Sequence, residues 1–499
     1  MDRAIAWHQP RLSRRLDREM TRRVAAWVLL SSIAFPVLAS APADPIALAV
    51  DARDGARPLQ HFWSNVSAGG RANLALRATW LDQWRLAAAE GGFKCVRLTG
   101  VLGPGMFALG RNEGKTVFNF RYLDDAFDRI VALNTHLFLE LALPPEAAAA
   151  GEGKEVIGHF LKHYEDRYGS PELRQWRFEL GEGGALSDFE LYRALATAVK
   201  AVDPALKVGR AAPIAGDDAP LREFLTQAGA RAAPVDFISD RYFPAPAAGP
   251  DATPRHLKQL RDLIRQSPFP RAELHVTAWN SSSSSSDFTH DSLPAAAWIL
   301  QNVLASAGLA DSLAYRSFAD QVDEEGGGRG LFHGGDGLMN YEGIVKPSFH
   351  AYRYLNALGD EVIQAVPGGV VSRRKNSGRV VLLAYNCPDE YRGGLPITAS
   401  AAAAAELSAR GSARNLTINL SGLRPGGQIL IEMLDATHGN ALEAWERMHF
   451  IAEPTRPALA TLQSGAREMR LEYHQADELG RFGLSRELGA WSVLLLREL

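Results

Sequence analysis

The chain has 499 residues, 46% of them hydrophobic, and a formal net charge of −3. That length supplies a sizeable core and exceeds one ordinary domain, while the mixed, nearly balanced charge offers no basic field for nucleic acid. The two cysteines, Cys95 and Cys387, are far apart and give neither zinc-ligand spacing nor a disulfide framework, so they read as two separate packed thiols, with no metal and no cofactor expected.

The first element in chain order is an address. TRRVAAWVLLSSIAFPVLASAPA has a basic start at Arg22 and Arg23, an apolar stretch from Val24 to Ala39, and small residues at Ala41 and Ala43. This is the layout of a secretory signal. Pro42 blocks cleavage after Ala41, so cleavage after Ala43 is expected, releasing a periplasmic or secreted protein. The apolar run is shorter than the roughly 20 residues of a spanning helix. An uncleaved segment anchored in the inner membrane is the alternative. Met20 directly precedes the segment and reads as the start, with residues 1–19 as an upstream extension; Met1 stays open.

Residues 44–60 carry PIALAVDA (45–52), read as a strand that joins a distant sheet. From 61 to 360, short apolar runs alternate with amphipathic stretches. The strand candidates are FWSNVSA, CVRLTG, HLFLELA, WRFELGE, KVGRAA, VDFISDRY, ELHVTAWN and LAYRSFAD. They are rich in Val, Leu, Ile and Phe, as strands buried on both faces are. Between them lie helical patterns such as YLDDAFDRIVAL and DFELYRALATAVKAVDP, the latter preceded by capping candidates and stopped by Pro204. Eight strands alternating with eight helices predict a (β/α)₈ barrel. Beyond 360 the pattern turns to short strands between Gly, Pro and Asn turns, which predicts a β-sandwich over 361–499 without long helices. The run TASAAAAAELSA reads as either a short helix or a loop.

In such a barrel the chemistry sits where strands end. Arg71, Arg97 and Arg241 converge on the mouth by this reading, and their guanidinium groups suit a carboxylate-bearing ligand or salt bridges equally. Glu182 follows the fourth strand between glycines. Glu179 shares a strand face with Gly181 and reads as buried and hydrogen-bonded. Glu273 lies at the opposite end of the barrel and is rejected as a nucleophile. The serine run 281–286 has no His–Asp partner in view and reads as a flexible loop.

Many unconnected blocks, among them GGFKCVRLTG, FLELALPP, RYGSPELRQWRFEL, HVTAWNSS and GIVKPSFHAYRYLNALG, resemble glycoside hydrolase family 39 in the right order over roughly residues 50–499. The resemblance implies a carbohydrate partner, an oligosaccharide or polysaccharide, and descent from retaining glycosidases acting on β-xylosides, iduronides and related glycosides. Retaining hydrolysis needs two carboxyls about 5–5.5 Å apart. In the family's pattern the acid/base slot falls on Gly183, with Glu182 in the neighbouring asparagine slot, and the nucleophile slot falls on Ala278, in Thr277-Ala278-Trp279-Asn280. Arg71, Thr99, Arg241 and Phe243 also depart from the family's mouth residues. The resemblance further implies that Trp279, Asn280, Asp320, Glu324, Glu325 and His333 border the sugar pocket. The expectation is an exported, catalytically degenerate, carbohydrate-binding homologue. Two alternatives are an active β-xylosidase-like glycosidase with Glu182 as a displaced acid, and a structural or assembly protein of an envelope polysaccharide system.

Overall fold

Eight parallel strands run side by side in chain order: Ser67–Arg71, Cys95–Thr99, His136–Leu141, Arg177–Leu180, Lys207–Ala211, Phe237–Tyr242, Glu273–Trp279 and Ser312–Tyr315. We refer to them as the first to eighth barrel strands. They come from a computed structural model that describes residues 44–149, 151–181, 189–211, 218–246, 248–320 and 330–499. The Phe318 N–H donates to the Ala68 carbonyl at 3.3 Å, bringing the chain after the eighth strand back to the first and rounding the sheet into a barrel. The axis is filled by Val66, Cys95, Phe138, Phe237 and Ala314, with the Phe138 and Phe237 rings edge to face at 5.3 Å. The centre is therefore a packed core, and open space remains only towards the strand ends.

Helices cover the outside. In Arg121–Val131 the buried residues are Leu123, Ala126, Phe127 and Ile130, the three- and four-residue spacing that places one apolar stripe on the sheet. Burying Phe127 contributes about 1.5–3 kcal/mol. Leu293–Ala305 differs, being apolar nearly all round and buried from Leu293 to Leu300. It lies between the barrel and the second region. Strand Val380–Tyr385 packs on it, and Asn302 Nδ2 donates to the Arg392 carbonyl at 2.9 Å.

The second region is two sheets. One has three strands, Ile46–Asp51, Arg414–Ser421 and Phe482–Leu488, and the first of these pairs in parallel with the second. The other has seven, running from Arg470–Gln475 at one edge to Arg57–Pro58 at the other. Ile46 and Leu48 meet Val371, Leu382 and Ile431 in the core between them. Both sheets thus recruit residues from before the barrel.

The alanine run, which the sequence leaves open between helix and loop, is a helix, and two further short helices accompany it. Ala401–Ser408, Ala441–Arg447 and Arg456–Gly465 are helices set between strands. The alanine run has the highest helix propensity, and Ser400 caps it by accepting the Ala403 N–H at 3.2 Å. Trp445, on the second of these helices, packs its ring 5.4 Å from that of Phe332 and so supports the loop after the eighth barrel strand. Cys95 and Cys387 are both free and buried, and burial pushes each thiol up to about 12. No helix among the described residues is long and apolar enough to cross a membrane. The signal-like segment before Asp44 lies outside the described residues.

Candidate active site

The C-terminal ends of the barrel strands open into a cavity of about 1330 Å³. Its wall takes Arg71 from the first strand, Glu140 from the third, Arg241 from the sixth, and Thr277 and Ala278 from the seventh. Consecutive strand residues ordinarily face opposite sides. Here Asp240 pairs with Val276 and Arg241 with Ala278, so Thr277 is an extra residue in the ladder. Such a bulge re-aims side chains, and it turns both Thr277 and Ala278 towards the cavity. Thr277 Oγ1 anchors it by donating to the Asp240 carbonyl at 3.1 Å.

Beneath the cavity lies a buried ionic network. Arg97 donates through Nε to Glu179 Oε2 at 2.9 Å, and its Nη2 lies 2.7 Å from the same oxygen. Ser239 Oγ donates to Glu179 Oε1 at 2.6 Å. The Glu140 carboxylate stands 3.7 Å from Arg97 Nη2. Burial alone would lower the Arg97 guanidinium, but the two carboxylates outweigh it and hold the group above its ordinary value. The floor of the cavity is therefore a fixed charge arrangement rather than loose side chains.

Arg316 ties three loops together. Its guanidinium lies 5.6 Å from the centre of the Phe243 ring, past the sixth strand. It donates to the Ser283 carbonyl at 2.6 Å, past the seventh, and pairs with Asp336 at 2.9 Å, past the eighth. Behind this staple runs a buried polar spine. Ser282 Oγ donates to Asp287 at 2.7 Å and lies 3.3 Å from His290 Nε2, while His290 Nδ1 is 3.6 Å from Asp336. Burial pushes the His290 imidazole below its ordinary value. Deeper still, Lys346 sits between Asp291 at 2.6 Å and Asp320 at 2.8 Å. Burial works against its charge, and the two carboxylates outweigh that and raise it. Gly334, at φ 79, presses on this spine so closely that a Cβ there would lie 2.4 Å from the Asp287 backbone.

The family model of Glycosyl hydrolases family 39 matches residues 46–467. A β-xylosidase of Geobacillus stearothermophilus is 30% identical over 490 residues, spanning 89% of this chain and 94% of that protein. Among solved structures, a family 39 enzyme of Xanthomonas axonopodis pv. citri superposes with a TM-score of 0.81 at 24% identity, covering 93% of this chain and 99% of the other. A monomeric β-xylosidase of Caulobacter crescentus gives 0.79 at 25% identity, covering 91% and 99%. The chain belongs to glycoside hydrolase family 39.

In this family-39 barrel, Ala278, which the sequence reading sets in the nucleophile slot, lines the cavity. Gly183 and Glu182, which the sequence reading sets at and beside the acid/base slot, lie outside the described residues, as do Glu324 and Glu325. Arg71, Arg97, Arg241 and His333 all reach the cavity wall. Trp279, Asn280 and Asp320 do not; the structure sets them behind it. Trp279 is the next residue after the bulge and faces outward, stacked at 4.7 Å on Trp298. Asn280 is buried, and its Oδ1 accepts the Ser281 N–H at 2.7 Å. Asp320 is held inward because Lys346 needs a partner. Glu273 is at the far end, where it pairs with Arg177 at 3.1 Å.

The serine run is corrected as well. Ser281 and Ser282 are buried, and Ser282 does contact a histidine and two aspartates are near that ring. Its hydroxyl is donated to Asp287 and it does not line the cavity. Its part is to hold the loop. Glu140, Arg316 and Asp336 escaped the sequence reading. Glu140 had a signal in HLFLEL, where it shares a strand face with Phe138; Asp336 had one in LFHGGDGL, the stretch with His333 that the resemblance sets beside the pocket; Arg316 had none, because loop contacts across strands are not periodic. Among the described residues no group of three His, Cys, Asp or Glu side chains could hold a metal ion.

Proposed function

We propose that this family-39 protein is an exported carbohydrate-binding homologue that has lost retaining hydrolysis. The observation that carries the reading is Ala278 on the cavity wall, directly across the ladder from Arg241. A methyl group cannot attack an anomeric carbon, and the neighbouring guanidinium is not a nucleophile. Of the three carboxylates in the described wall, Glu140 faces Arg97, Asp336 pairs with Arg316, and Glu146 stands past the third strand. The cavity still offers a saccharide apolar surface beside fixed polar groups. Export rests on the basic, apolar, small-residue order of residues 20–43.

The test is paired. Incubation with aryl β-xylosides should release no burst of phenol and show negligible turnover, and calorimetry should detect binding of xylo-oligosaccharides. Steady hydrolysis by the unaltered protein overturns the reading.

One observation favours an active glycosidase as the second reading. Glu140 is a carboxylate on the cavity wall, 6% exposed, and a positioned carboxyl is the group that general acid–base chemistry requires. If turnover is found, its loss in Glu140→Gln or in Glu182→Gln identifies which carboxyl serves.

A further inference from the structure

The seven-stranded sheet ends differently on its two sides. One edge is Arg57–Pro58, two residues long and closed by a proline. The other is Arg470–Gln475, which pairs with Gln428–Leu434 and has no further strand beyond it among the described residues. Edge strands are ordinarily protected by proline, lysine, a bulge or a short length. Here the register runs unbroken for six residues, without proline or lysine. Leu471 and Tyr473 on this strand are 50% and 70% exposed.

The bonding pattern identifies the backbone groups at the open edge. The Ala476 N–H donates to the Gly427 carbonyl, and across the sheet the Leu499 N–H donates to the Gln428 carbonyl. Bonded and non-bonded pairs alternate along an antiparallel ladder. Arg470, Glu472 and His474 therefore direct their backbone groups into the sheet, and Leu471, Tyr473 and Gln475 direct theirs outward. Side chains alternate as well. Leu471 and Tyr473 share one face, while Glu472 and His474 share the other, 3.4 Å apart, with Glu472 also paired to Arg486 at 2.8 Å.

We infer that this edge docks the same edge of a second copy of the chain, antiparallel about a two-fold axis at Tyr473. That axis sets Tyr473 opposite the partner's Tyr473 and Leu471 opposite the partner's Gln475, so the outward N–H groups meet carbonyls. Glu472 then faces the partner's His474 in a non-bonded pair, where side chains approach most closely. The adjacent registers fit less well. An axis at Glu472 opposes two carboxylates and sets Arg470 against a histidine. An axis at Leu471 leaves Gln475 without a partner and carries Tyr473 past the end of the other strand. The strand is thus its own complement, as an isologous contact requires. One strand pair buries less than the roughly 1,200–2,000 Å² of a standard interface, so the dimer forms and dissociates with protein concentration.

Sedimentation velocity between about 1 and 200 µM tests it by mass action. The unaltered protein should pass from monomer to dimer over that range, and Tyr473→Phe should do the same. Tyr473→Pro removes an outward N–H and no bond within the sheet. It should stay monomeric, with circular dichroism and a thermal midpoint close to those of the unaltered protein. His474→Glu leaves the backbone intact and opposes a carboxylate to the partner's Glu472, so it should weaken association about tenfold or more; it decides the matter if Tyr473→Pro does not fold. Because Cys95 and Cys387 are buried, introduced thiols report the register. Mild oxidation should join two copies of Tyr473→Cys and leave Leu471→Cys unjoined. A monomer at every concentration, a dimer unaffected by His474→Glu or by a folded Tyr473→Pro, or joining through residue 471 in place of 473 overturns the inference.

Discussion

Arg241 and Ala278 are direct partners in the ladder between the sixth and seventh barrel strands, one residue past the bulge at Thr277. A cation therefore borders the position that the sequence resemblance reads as the nucleophile slot. A carboxylate introduced at 278 would stand within reach of that guanidinium and be held ionised.

Ala278→Glu alone should not create a retaining enzyme. An ionised carboxylate there still lacks the proton donor of the Gly183 slot, and general-acid help is worth about 10²–10⁴-fold. The expected result is no measurable hydrolysis of xylobiose, whose sugar leaving group departs only with a proton. Hydrolysis of xylobiose by this variant would show that a proton donor is already in place.

Breaking the floor network should be costly. Arg97→Met leaves Glu179 buried with its Ser239 bond but without its cation. Removing one partner of a buried pair costs about 3–5 kcal/mol. The double variant Arg97→Met/Glu179→Met should be more stable than Arg97→Met, because one buried carboxylate, Glu140, rather than two then faces the place of the lost guanidinium. Urea unfolding of the three proteins decides it; a double variant no better than the single would mean that Glu179 is compensated elsewhere.

Lys346→Met should be at least as damaging, since it leaves Asp291 and Asp320 together in the interior. The loops after the seventh and eighth strands meet through this lysine, which also donates to the Gly335 carbonyl at 2.9 Å. Limited proteolysis of the variant should cut within 330–346, where the unaltered protein resists. Unchanged proteolysis together with unchanged unfolding would remove the lysine from this role.

Acid should weaken the base of the barrel. Burial would raise Glu273, but the His275 hydrogen bond and the Arg177 and Lys207 charges outweigh it and bring the carboxyl from 4.5 down to about 2. A carboxyl depressed on folding adds stability that is fully present above its unfolded value and is lost as pH falls through the folded one. The difference between the unaltered protein and Glu273→Gln should therefore be constant above pH 5 and shrink between about pH 4.5 and 2. A difference that does not change with pH would assign the effect to packing.

The export proposal predicts a mature N-terminus near Asp44 in protein recovered from its native host, outside the cytoplasm. Edman sequencing reads it directly, and an intact Met1 or Met20 in a cytoplasmic fraction would defeat it.

Local pattern was enough for the architecture. The buried stripe Leu123, Ala126, Phe127 and Ile130 and strands such as His136–Leu141, buried at nearly every position, carry their period in adjacent residues, because each element must place its own apolar face. That Ala278 stands at the mouth end of the seventh strand was legible too, since four neighbouring residues close that strand pattern. The rest depended on partners distant in the chain. Ser239 and Glu179 bond across 60 residues, and Arg97 and Glu179 across 82. Whether Trp279 lines the cavity or stacks behind it was decided by one extra residue at Thr277, a property of the ladder with the sixth strand. Asp320 faces inward because Lys346, 26 residues later, is buried beside it, and a buried cation fixes its carboxylates wherever the chain brings them.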